Sequence, residues 1–118
     1  MIHHMNLRPR PFEMIAAGHK TIELRLLDEK RKNIRVGDTL VFTNTDEPAR
    51  QIRCQVTGLH MFSNFAELYR ALPLEKCGYL PQELATAAPE DMALYYPAEK
   101  QAQYGVVGIE IVFENSIP

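Results

Sequence analysis

Glu23 and Arg25 are the residues whose placement first suggests chemistry. In the run Lys20 to Leu26 the side chains alternate, Ile22, Leu24 and Leu26 to one face of a strand and Thr21, Glu23 and Arg25 to the other. Two readings of the charged face stand side by side. As a solvent-exposed ion pair, Glu23 and Arg25 would contribute about 0–1 kcal/mol and nothing more. As part of a site they gain Lys20, which the turn at Gly18 delivers into the strand and whose ammonium can swing to the Glu23 face against its odd–even parity. A guanidinium grips phosphate or carboxylate bidentately, and a desolvated lysine can serve as a base near neutral pH.

Other residues could extend such a site. Arg8 and Arg10 flank Pro9, and either bind phosphate beside the strand or stay solvated. Tyr95, Tyr96 and Tyr104 offer platforms on which bases stack, Tyr104 foremost because it stands at the mouth of the closing strand; the alternative for each is a core or rim residue with a satisfied hydroxyl. Lys30, Arg31 and Lys32 form the densest basic run, but Asp28 and Glu29 adjoin them, as in a solvated loop. His3, His4, His19 and His60 show no metal-ligand spacing, and the reading assigns neither metal nor cofactor.

The elements that must hold these groups read as follows. Pro9, Pro11 and Gly18 bracket a short helix over about 11–17, with Phe12, Ile15 and Ala16 on its apolar face. A second strand runs over Thr39–Thr43, and Ile52, Cys54 and Val56 alternate in a third, making an antiparallel hairpin across the turn at 44–48. Ser63 is the expected cap of a helix carrying Phe65, Leu68, Tyr69 and Leu72, which Pro73 stops. Positions 74–88 read as loop. Pro89, Glu90 and Asp91 begin another helix, which Pro97 ends or kinks, and Tyr104–Phe113 is a long closing strand. Short strands with inserted helices point to an α+β domain built on a small, strongly bent mixed β-barrel, not a parallel α/β sheet.

At 118 residues, 46% of them hydrophobic, the chain suits one domain over 1–118 with a core that needs no disulfide. Cys54 and Cys77 lie far apart and outside any CxxC pattern, as small buried thiols of a reducing compartment do. The first residues lack a signal-peptide pattern and no apolar run approaches the roughly 20 residues of a membrane span, so the expectation is a cytoplasmic protein without membrane contact. A net charge of -2 argues against a protein that coats nucleic acid nonspecifically, since such binders neutralise many phosphates. Any contact with nucleic acid must be local.

Gly18-His19-Lys20-Thr21-Ile22-Glu23-Leu24-Arg25 resembles the G-x-K-x-x-E-x-R signature of the ASCH (activating signal cointegrator homology) family, and all four signature positions match. The likeness extends to the Pro/Phe-containing helix before it, the Val36-Gly37-Asp38 turn after it and the end Tyr104-Gly105-Val106-Val107-Gly108-Ile109-Glu110. The resemblance implies a PUA-like fold, a pseudo-barrel whose cleft the signature residues line. It implies RNA or a nucleoside or nucleotide as ligand, bound by Arg8, Lys20, Thr21, Glu23, Arg25 and Tyr104; a protein partner stays open. The alternative it implies is a hydrolase, a ribonuclease or an acetylcytidine amidohydrolase, with Lys20 as base and Glu23 orienting water. In that amidohydrolase subgroup a nucleophilic threonine stands where this chain has Glu23, so the covalent route is not expected here.

Overall fold

The fold follows from where apolar side chains alternate. A computed structural model describes all residues 1–118. Its first element, β1 (Ile2–Leu7), buries His3, Met5 and Leu7 and exposes the residues between them. The sequence reading placed no strand here, because two adjacent histidines mask the period-two pattern. After β1 come α1 (Pro9–Ala16), β2 (Ile22–Leu26), β3 (Thr39–Asn44), β4 (Gln51–Phe62), α2 (Phe65–Ala71), α3 (Ala98–Tyr104) and β5 (Val106–Ile117). The five strands form one mixed sheet in the order β1-β3-β4-β5-β2. β1 runs parallel to β3, whereas β3 with β4, β4 with β5 and β5 with β2 are antiparallel.

The α+β class and the strong bend match the expectation, but the barrel does not close. The β4–β5 register shifts at Arg53/Cys54 and Val56/Gly58 within these two 12-residue strands, and such bulges bend a sheet. The strand order leaves β1 and β2 as the two edges, with no ladder between them.

Two apolar clusters lie on either side of the sheet. The larger packs Met5, Leu40, Phe42, Ile52, Val107 and Ile109 with Phe12 and Ile15 of α1, the helix foreseen from its prolines. The smaller joins Ile22, Leu24 and Leu26 of β2 to Phe65 and Leu68 of α2 and to Cys77. Phe65 is fully buried and stacks on Tyr96 at 5.9 Å between centroids, the kind of residue whose truncation costs about 3–5 kcal/mol.

Local signals were shifted in three places. Asn64, not Ser63, caps α2, its side chain accepting from Glu67 N at 2.9 Å. The turn at Pro89 grows only into a 3-10 helix, Pro89–Leu94. Pro97 starts a helix instead of ending one, as the N-cap of α3. The stretch read as loop contains two more 3-10 helices, Leu74–Cys77 and Pro81–Thr86. No helix is long and apolar enough to cross a membrane.

Gly105 joins α3 to β5 at φ 73 and ψ -176, and a Cβ there would lie 3.0 Å from the Phe62 carbonyl oxygen. Only glycine occupies that backbone region without strain. Gly105→Ala is expected to lower stability by about 1–3 kcal/mol, read as a shifted urea midpoint with unchanged slope. An unshifted midpoint would count against the strain.

Candidate functional site

β2 has no solvent face. Its partner β5 sets Glu23 opposite Ile109 and Arg25 opposite Val107, both residues of the larger core, so the charged side chains point to the inside of the curved sheet at its open seam. Ile22, Leu24 and Leu26 face the other core. The exposed-ion-pair reading is therefore overturned: the Glu23 side chain is 4% exposed and that of Arg25 12%.

Glu23 holds two cations. Oε2 accepts from Arg25 Nε at 2.7 Å, and Oε1 lies 2.9 Å from Lys20 Nζ. Arg25 reaches further and donates through Nη2 to the Asn6 carbonyl of β1 at 2.8 Å. One guanidinium thus spans the two sheet edges that no backbone ladder joins.

The loop before β2 brings Lys20 in. Lys20 N donates to Met14 O at 3.1 Å and Thr21 N to Lys76 O at 2.9 Å, and this turns the lysine side chain along Gly78. Gly78 has φ +106, and a Cβ there would sit 3.2 Å from Lys20 Cδ, so glycine serves both the turn and the passage.

Burial alone would raise the Glu23 pKa, but the charges of Lys20 and then Arg25, with their hydrogen bonds, outweigh it and hold the carboxyl below its ordinary value. Burial likewise opposes the Arg25 charge, and the Glu23 carboxylate more than restores it. The triad carries one net positive charge.

Around it opens a cavity of about 580 Å³. Four cations line it, Arg8, Arg10, Lys20 and Arg25, against the carboxylates of Glu23 and Asp91, a surplus of two positive charges in a chain of net charge -2. Arg8 lies over the Tyr95 ring, 5.3 Å from its centroid, and Arg10 pairs with Glu83 at 2.7 Å. Tyr69, Tyr79, Tyr95 and Tyr96 also line the cavity, four of the chain's five tyrosines.

Two expected residues stand elsewhere. Tyr104 packs against the smaller core with Lys100 above its ring, and Thr21 borders a separate cavity of about 350 Å³ at the end of α1. Arg31 pairs with Asp28 at 3.0 Å and is largely buried at the start of a short 3-10 helix, Arg31–Asn33, whereas Lys32 meets Glu29 at 3.3 Å on the surface. The sequence reading missed Asn6, Tyr69, Tyr79 and Asp91 as members of the site. Their only local signal was Gly78-Tyr79, a turn glycine beside an aromatic, inside a stretch without periodicity.

Comparison with known proteins agrees with the family resemblance. The family model described as the ASCH domain matches residues 5–115. The solved structure of a hypothetical protein, PH0355, is 32% identical, covers 97% of this chain and 100% of its own, and superposes with a TM-score of 0.79. The solution structure of PF0455 from Pyrococcus furiosus is 31% identical over 96% and 97% of the two chains, with a TM-score of 0.70. A variant of the ZmASCH protein from Zymomonas mobilis shares the fold at a TM-score of 0.69 and 12% identity, covering 98% of this chain and 72% of that one. No curated protein sequence matches.

Removing the carboxylate should expose what it holds. Glu23→Gln leaves Lys20 and Arg25 facing each other without a counter-charge and is expected to cost roughly 3 kcal/mol of stability in urea unfolding at neutral pH. Because the folded-state pKa of Glu23 is depressed, its contribution is complete above its unfolded value, near 4.5, and is lost as pH falls through the lower folded value. The gap between native and variant stability should therefore narrow below pH 4.5; a gap constant with pH would contradict the charged state of Glu23.

Proposed function

The chain belongs to the ASCH domain family, and from that premise we propose that it binds RNA through this cleft, one nucleotide of a single strand seated in the cavity. The observation that carries the reading is the local surplus of cations beside four tyrosines, in a chain whose overall charge has the opposite sign. Arg8 meets one of the nucleotide's two flanking phosphates, and Lys20 and Arg25 meet the other. Glu23 contributes by holding Lys20 and Arg25 in place, since both its oxygens are already engaged. Tyr95, half-exposed under Arg8, is the platform on which a base stacks, the part first expected of Tyr104. Thr21 and Tyr104 take no direct part in this reading.

A binding role fits the cleft better than a hydrolytic one. A hydrolase built on Lys20 and Glu23 would use a carboxylate whose oxygens each already meet a cation. The hydroxyl of Thr21 borders the other cavity. The one thiol at the cleft, Cys77, is pushed up to about 11 by burial, far from a reactive thiolate.

The test is a titration of the protein with a fluorescently labelled single-stranded oligoribonucleotide at several salt concentrations. If two phosphates are neutralised, log affinity falls against log salt with a slope of about −1.4. Arg8→Ala removes an exposed cation without touching the buried triad. It should weaken binding by about tenfold and flatten the slope by about 0.7. Affinity and slope unchanged in Arg8→Ala would overturn the reading.

A further inference from the structure

One wall of the cleft, built from Gly78 to Tyr96, carries a hydrogen-bond chain with an unspent end. Tyr79 donates its single hydroxyl proton to Asp91 Oδ2 at 2.7 Å. The 2.6 Å contact between the Tyr69 and Tyr79 hydroxyls is therefore donated by Tyr69. Asp91 Oδ2 also accepts from Ala88 N at 3.2 Å, closing the first turn of the 3-10 helix Pro89–Leu94. Both lone-pair sites of that oxygen are taken, and both tyrosine protons are committed. What remains is Asp91 Oδ1, an acceptor without a protein donor, on a residue that lines the cavity.

We propose that Asp91 Oδ1 reads the exocyclic amino group of a nucleobase, so that the cleft takes adenine or cytosine nucleotides in preference to uracil. The proposal rests on the nucleotide-binding reading above and adds a base preference to it. A single free carboxylate oxygen is matched by a single N–H, which the amino groups of adenine and cytosine supply. Uracil flanks its one Watson–Crick N–H with two carbonyl oxygens, and these meet the carboxylate with like charge. The tyrosine chain matters because it fixes which oxygen of this exposed carboxylate is free: Oδ2 cannot serve a ligand without breaking the bonds from Tyr79 and Ala88.

Asp91→Asn makes the test sharp. The Tyr79 hydroxyl and the Ala88 N–H both need an acceptor at the Oδ2 position, so the amide must place its oxygen there and present its NH2 group to the cavity. An acceptor becomes a donor with the network otherwise kept. Calorimetric titration of the full chain with AMP, CMP and UMP should show UMP binding about tenfold more weakly in the native protein. In Asp91→Asn the order should reverse in favour of UMP, whose carbonyls accept from the amide, with the melting temperature unchanged. Tyr79→Phe, which removes the donor that fixes Oδ2, should shrink the native preference severalfold and supports the proposal even if Asp91→Asn folds poorly. Equal affinity for the three nucleotides in the native protein, or a preference that survives in both variants, overturns the proposal and leaves the binding reading intact. Absence of binding by all three would instead remove both.

Discussion

A carboxylate placed inside a curved sheet loses its water, and the fold around the cleft is arranged so that two cations make up for that loss. Glu23 sits where β2 would have to pair with β1 for the sheet to close. An isolated ion there would neutralise itself or destabilise the domain. Lys20 and Arg25 keep it charged, and Arg25 in turn carries the connection across to Asn6. The seam is thereby held by a side-chain bridge where a continuous barrel would have a backbone ladder, and a bridge leaves room for a cavity. The same three residues close the structure and line the site, so a change at any one of them acts on both.

How much of this the sequence disclosed depended on the kind of signal each part emits. The β2 alternation and the Gly18 turn were legible because period two and glycine are local signals, and with them came Lys20, Glu23 and Arg25 as a group. Their burial was not legible. A polar strand face looks the same in a flat sheet, where it meets water, as in a sheet bent enough to enclose it, and the bend depends on long-range register between β4 and β5. β1 was hidden because His3 is buried beside an exposed His4, a contrast that composition does not carry. Pro97 was misread because proline opens a helix as readily as it ends one. Tyr79 and Asp91 were missed because the segment that holds them folds into 3-10 turns, which have no sequence period long enough to detect.

Overall charge is a poor guide to the charge of the cleft. Fifteen acidic residues outnumber thirteen basic ones over the chain, yet the cavity reverses the sign. An anion approaching the seam meets that reversal. Arg8 and Arg10 are positioned there by the proline-initiated start of α1, and both are tied to the 80–96 segment, through the Tyr95 ring and through Glu83. The two walls of the cleft are thus clasped by the same arginines that give it its charge.

The side-chain bridge at the seam depends on Glu23 being ionised there. The direct measurement is the pH titration of its carboxyl carbon by NMR in the free, folded protein, resolved from the other glutamates by comparison with Glu23→Gln. A midpoint below the ordinary glutamate value of 4.5 is the expected result, the signature of a buried carboxylate outweighed by Lys20 and Arg25. A midpoint at or above 4.5 would mean that desolvation wins, that the triad is not an ion network, and that the seam is held by something else.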